Sequence, residues 1–134
     1  MKRCYICLEI KPLNEYYYRS SRNNYTGECK ECIQIKKQEW ELKNPIRKWF
    51  MGCKTTSKRR GIPFHITWKQ CEFLWSGRCA ETGVEFTFNN SANSPTFDRF
   101  DPDGVYEINN VRIVTNRVNA ARGRNPLPLY REFM

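Results

Sequence analysis

The sequence predicts an α+β chain with a small four-cysteine module, a basic helical linker and a C-terminal strand–loop–strand–helix (ββα) unit. Three observations predict it. Cys4-Tyr-Ile-Cys7 and Cys29-Lys-Glu-Cys32 form two CxxC pairs with 21 residues between them. Residues 33–60 hold nine Lys/Arg against two Asp/Glu, with helical apolar spacing in their second half. The segment from Phe97 to Arg122 reads as two strands joined by a turn and followed at once by a helix.

Size and composition bound the reading. The chain has 134 residues, 40% hydrophobic and 14% aromatic, with a net charge of +9. That aromatic content excludes a disordered basic tail. No apolar run approaches the ~18–20 residues of a spanning helix, so a helical membrane protein is excluded. Met1-Lys2-Arg3-Cys4-Tyr5 has no apolar signal core, which predicts a cytoplasmic protein. The seven cysteines, an odd number, suit reduced thiols better than a secreted disulfide framework.

Residues 1–32 make the first module. Each CxxC can place two thiolates on one tetrahedral ion, and two pairs complete a closed site, so Cys4, Cys7, Cys29 and Cys32 are candidate ligands of a structural zinc ion. Disulfides and free thiols are the alternatives. The Tyr-, Ser- and Asn-rich stretch between the pairs reads as loops and short strands that need a staple.

Residues 33–62 make the linker. A helix is predicted over 30–44 with only a loose apolar stripe. Asn44-Pro45 breaks it and opens a second helix over 45–60, because Pro suits the first helical position. Ile46, Trp49, Phe50 and Cys53 repeat as i, i+3, i+4, i+7, so one face is buried. Lys54, Lys58, Arg59 and Arg60 close the helix, where cations suit its C-terminus, and Gly61 ends it.

Residues 63–134 make the third region. Phe64-His65-Ile66 is a short extended piece in which His65 points away from its neighbours. Thr67 caps a third helix, and Gly77 stops it. Cys79 to Gly83 is a tight turn, and Val84, Phe86 and Phe88 alternate as a strand. Phe97 to Phe100 is a strand. Asp101-Pro-Asp-Gly104 is a turn, with Gly104 expected at positive φ. Val111 to Thr115 is the return strand, and Thr115 or Asn116 caps a helix that Gly123 ends. Asn125 to Tyr130 reads as an extended tail. Cys53, Cys71 and Cys79 are expected as small core residues.

Charge is unevenly distributed. Residues 33–60 carry +7, residues 61–111 carry −4, and residues 112–134 carry +4. Basic segments suit a polyanion, because Lys and Arg displace counterions from phosphates. Carboxylates next to phosphates repel unless a cation lies between, which makes the acidic stretch the place to look for a metal. Arg47, Lys48, Lys54, Lys58, Arg59 and Arg60, with Arg112, Arg117, Arg122 and Arg124, are the candidate phosphate contacts, without base specificity of their own.

From Ser94 to Arg122 the chain resembles the ββα-metal finger of HNH (His-Me finger) endonucleases. Asp98-Arg99 and the run from Asn110-Val111 to Asn119 carry the likeness. The whole chain is similar to phage-type HNH proteins, in which a CxxC…CxxC module with a Lys11-Pro12-Leu13 stretch precedes a basic helical linker and the finger. The resemblance implies a DNA endonuclease or nickase that hydrolyses phosphodiester bonds in DNA, double-stranded by expectation, with one Mg²⁺ or Mn²⁺ ion, in a phage-infected bacterial host. By position it implies Asp98 and Asn119 as ligands of that ion and Asn110 as the organiser of the hairpin. An acidic and an amide oxygen are hard ligands suited to such an ion.

The sequence departs from the family pattern twice: Cys79 stands alone where many such fingers carry CxxC pairs for a structural zinc ion, so no second zinc is expected, and one residue of the site differs. Arg99 stands where the general-base His follows the first ligand, and a guanidinium has no acceptor for a proton. The resemblance then leaves three outcomes. Asp101, His65 or a metal-bound hydroxide takes the proton; Arg99 clamps the phosphate in a slow nuclease; or the chain is an inactive HNH-like zinc protein that binds DNA without cleaving it.

Overall fold

The structure is a computed structural model and describes residues 1–89 and 91–123. The chain is α+β: the described residues form short strands, four α-helices and a cysteine cluster. It divides into two compact units, Met1–Asn44 and Pro45–Met134. The basic helical stretch is split between them. Predicted tail residues 125–130 and Arg124 lie outside the described residues.

The first unit holds two antiparallel two-residue hairpins and one helix. β1 (Lys2–Arg3) pairs with β2 (Ile10–Lys11), and β3 (Tyr18–Arg19) pairs with β4 (Asn24–Tyr25). Strands this short cannot hold themselves together. Their support is a small buried cluster of Cys4, Tyr16, Cys29 and Cys32 with Tyr25 packed against it. Tyr16 also donates its hydroxyl to the Lys2 carbonyl at 2.5 Å, pinning the chain start. α1 (Lys30–Lys43) follows, with Cys32 its one buried residue among those described, which agrees with the loose apolar stripe.

The second unit starts with α2 (Pro45–Arg59), which begins at Pro45 as the sequence predicts. Phe50 and Ser57 are buried on it, with Trp49 and Cys53 half-buried. Trp49 stacks on Phe97 with ring centroids 4.9 Å apart and donates its indole N–H to the Pro95 carbonyl at 2.8 Å. α3 (Trp68–Leu74) is capped by Thr67 in a full capping box with Gln70. β5 (Pro95–Arg99) and β6 (Val111–Thr115) pair antiparallel, with Asp98 opposite Arg112 and Arg99 opposite Val111. Thr115 accepts the Val118 N–H and caps α4 (Asn116–Arg122), which packs on both strands. Phe50, Ile66, Cys71, Phe97, Val111 and Ile113 form the core.

Two local expectations fail. Residues 84–88 do not form a strand; a single bridge between Arg78 and Glu85 is all that pairs there. Their alternation has another cause: Phe86 and Phe88 both lie against Trp75, at 5.1 and 5.9 Å between centroids. A period of two then marks one packed side, not a ladder. Gly104 is not among the positive-φ glycines. Its missing side chain matters for another reason, described below.

Cys53 and Cys71 behave as apolar residues, while Cys79 Sγ accepts the Thr115 N–H at 3.4 Å. Cys71 and Cys79 are buried and Cys53 is half-buried. Burial pushes the Cys53 thiol up to about 12 and the Cys71 thiol up to about 11, from an ordinary 9.0. Raised folded-state values favour the folded chain below pH ~9, and this contribution is lost as pH climbs through the folded values, because the unfolded thiols ionise first. The melting temperature of the full chain is therefore expected to fall above pH ~9. Cys53→Ala should flatten that fall in an alkaline melting series, and an unchanged slope would remove the thiol as its cause.

Candidate functional site

Two side-chain constellations stand out, one in each unit. In the first, the hairpin β1–β2 presents Cys4 and Cys7, and the start of α1 presents Cys29 and Cys32. Leu8 adopts φ 65° at the hairpin turn. Backbone N–H groups point at the Cys4 sulfur from both sides: Ile6 N, in that turn, lies 3.4 Å from it and Cys29 N, at the start of α1, 3.3 Å. The four Sγ atoms all lie within 4.8 Å of one another. Cys4 and Cys32 Sγ are 3.8 Å apart, and Cys7 and Cys29 Sγ 3.9 Å. A tetrahedral zinc site with Zn–S of about 2.3 Å has edges of about 3.8 Å. The donor set and spacing therefore fit zinc, and these four cysteines could hold it.

Burial alone raises Cys4, but the N–H groups of Cys29, Cys7 and Ile6 overcome that and bring it down to about 6. Burial and the neighbouring thiols push Cys32 up to about 12. The Lys11 ammonium balances part of the negative charge that gathers on these sulfurs, donating to Cys29 Sγ at 3.2 Å and to Glu31 at 3.2 Å. Sequence spacing points to the four cysteines that the fold brings together, but not to Lys11. The β1–β2 register that returns Lys11 beside the cluster is not legible without the fold.

The second constellation lies where β5, β6 and α4 meet. Asp98 is fully buried. Arg112, its cross-strand partner, donates Nε to Asp98 Oδ2 at 3.0 Å. Arg122, the last residue of α4, donates Nε to Oδ1 at 2.9 Å, and its Nη2 reaches the same oxygen and the Arg99 carbonyl. Arg112 Nη1 also binds Glu81 from the Cys79–Gly83 turn. Burial pushes the Arg112 guanidinium down, but the Glu81 and Asp98 bonds outweigh it and hold it charged. Arg112 Nη2 is buried without a hydrogen-bond partner.

Asn110 closes the loop above this network. Its Oδ1 accepts the Asp101 N–H at 2.9 Å, and its Nδ2 donates to the Asp101 carbonyl at 3.2 Å and the Val105 carbonyl at 3.0 Å. Asp101 Oδ1 accepts the Asp103 N–H at 3.0 Å in an Asx turn. A Cβ on Gly104 would stand 2.6 Å from Asn110 Nδ2. Gly104 is required by this close approach, where the sequence suggested a positive φ.

Arg99 does not lie open to solvent. It donates Nη1 to the Gly104 carbonyl at 2.8 Å, with its guanidinium 5.1 Å from the Tyr106 ring centroid. Asn119 is half-buried on α4. Among the described residues, the side chains bonded to Asp98 are those of Arg112 and Arg122, not Asn119. His65 is exposed, and its N–H donates to the Tyr106 carbonyl at 2.7 Å. An Mg²⁺ or Mn²⁺ ion held by Asp98 does not fit this arrangement, because both carboxylate oxygens are already bonded to guanidinium groups.

The proposed phosphate contacts fall into two groups. Arg47, Lys48, Lys54, Lys58, Arg59, Arg60 and Arg117 are exposed. Arg112 and Arg122 are not: they are 6% and 2% exposed and bonded to Asp98. Charge type alone could not separate them. The signal lies in burial, since β6 is buried along its whole length.

No family model matches this chain, and no curated protein matches it. Among solved structures it is similar to the rare-cutting HNH restriction endonuclease PacI, with a TM-score of 0.48 and 15% identity, covering 93% of this chain and 84% of that one. A likeness at that score and identity assigns no activity to this chain.

Proposed function

We propose that this chain acts on DNA as a nuclease-type protein of the HNH kind, an endonuclease or nickase for phosphodiester bonds. The observation that carries the reading is the β5–β6 hairpin running directly into the Thr115-capped α4, with Asn110 tying its turn by three side-chain hydrogen bonds. The strand–loop–strand–helix order and the bonds of Asn110 support the finger and the loop organiser that the sequence resemblance implies. The exposed cations of α2 supply sequence-independent affinity: Arg47, Lys54 and Lys58 recur along one exposed stripe that borders the side bearing buried Phe50 and Ser57. Asp101, exposed and held by Asn110, is a carboxylate in the hairpin turn able to accept a proton. Arg99 cannot, because a guanidinium offers no acceptor.

A second reading, DNA binding without cleavage, is favoured by one observation: Asp98 is enclosed by arginines and closed to solvent. Incubation of supercoiled plasmid with the zinc-loaded chain and Mg²⁺ or Mn²⁺ separates the two. Nicked or linear product supports cleavage, and a band shift without product at either ion supports binding alone. No affinity at low salt overturns both. Replacing Arg47, Lys54 and Lys58 together by Gln is expected to flatten the slope of log K against log salt, by about 0.9 for each B-DNA phosphate that is no longer neutralised. An unchanged slope would remove α2 from the interface.

A further inference from the structure

We propose that Asp98 is a structural anchor closed to divalent cations: two arginines hold the carboxylate that the sequence resemblance assigns to a metal ion. This holds whether or not the chain cuts DNA, and it assigns any cleavage to a carboxylate other than Asp98.

Three observations carry it. The first is access. A cation that assists phosphodiester chemistry must touch both its protein ligand and the substrate, which requires an open coordination position. Asp98 has 0% exposure, so neither phosphate nor water reaches its oxygens from outside.

The second is charge. Asp98 and Glu81 are matched by Arg112 and Arg122 within hydrogen-bond distance, two negative groups against two positive ones. A carboxylate beside two guanidiniums is already neutralised. A divalent ion there would face both guanidiniums at close range, in surroundings that screen them poorly.

The third is hydrogen-bond accounting. A cation seated on Asp98 must displace N–H donors that are themselves buried. Arg112 already has one buried nitrogen without a partner. Displacement would orphan more, and buried unpaired donors are strongly disfavoured. The network also does the mechanical work of a central ion. Arg112 from β6 and Arg122 from the end of α4 converge on the Asp98 carboxylate of β5, and Glu81, from the turn before β5, holds Arg112 through its other nitrogen. The cysteine quartet of the same chain shows the opposite arrangement, four donors at metal-ligand spacing.

The test uses the full, zinc-loaded chain with Mn²⁺ as the probe. In Asp101→Asn/Asp103→Asn, which removes the exposed turn carboxylates, Mn²⁺ is expected to cause no selective paramagnetic broadening of the Asp98, Arg112 and Arg122 amides. Broadening centred on those three residues overturns the proposal. As a second arm, Asp98→Asn keeps the shape and removes the charge. Its melting temperature is expected to fall by roughly 10 °C or more, with Mn²⁺ making no difference to the wild type. A wild-type melting temperature that rises with Mn²⁺, together with an unshifted Asp98→Asn, also overturns it.

Discussion

Removal of metal from the zinc-loaded protein is expected to unfold Met1–Asn44. Its strands are two residues each, and its buried cluster among the described residues consists of three ligand cysteines and two tyrosines. Little apolar burial is left once the ion is gone, and four thiols in contact then repel or protonate. Structural zinc in small domains contributes an apparent ~10–16 kcal/mol at pH 7, more than such a unit can otherwise supply. Hydrogen exchange with and without a zinc chelator reads the effect: amides of residues 1–32 should lose protection, and those of Val111–Thr115 should keep it. Cys4→Ser should behave like chelation. Retained protection in the chelated state would mean that these thiols are free cysteines on a self-supporting fold. Co²⁺ substitution offers an independent check, through thiolate charge-transfer absorption.

Asp98→Ala is expected to be the most damaging single substitution in the second unit. It leaves Arg112 and Arg122, at 6% and 2% exposure, facing each other with no carboxylate between them. Breaking a buried ion pair from one side costs about 3–5 kcal/mol. Urea denaturation followed by fluorescence of Trp49, Trp68 and Trp75, which pack on the core, measures it. The destabilisation comes from the abandoned guanidiniums more than from the missing hydrogen bonds. Combining Asp98→Leu with Arg112→Met, Arg122→Met and Glu81→Gln is therefore expected to recover most of it, since buried ionic groups replaced together by apolar ones are often neutral in stability. A quadruple variant as unstable as Asp98→Ala would show that the network holds the fold by geometry, not by balanced charge.

The helices were legible because their signals are local. Pro45 at a first turn, Thr67 and Thr115 as caps and the i, i+3, i+4, i+7 stripe of Ile46, Trp49, Phe50 and Cys53 act within a few residues. The hairpin was legible for the same reason, through its Asp101–Gly104 turn. Residues 84–88 were misread because alternation reports which side of the chain is packed, whether a partner strand or Trp75 does the packing. Gly104 was placed correctly in a turn, but for a different reason, since a clash with an amide six residues on cannot be seen in a turn motif.

The sequence by itself determined the cysteine quartet, the order of the described α-helices, the β5–β6 hairpin and the cationic face of α2. Each depends on spacing along the chain, and covalent geometry carries spacing directly into space. The tertiary structure alone decided which arginines face solvent and which turn inward, and that Asp98 meets two of them. Arg112, Arg117 and Arg122 have the same chemistry in the sequence. Strand register brings Arg112 opposite Asp98, and the packing of α4 on both strands brings Arg122 there, while Arg117 stays outside. Side-chain charge is a property of the residue, but whether it meets phosphate or a buried carboxylate is set by burial and long-range pairing.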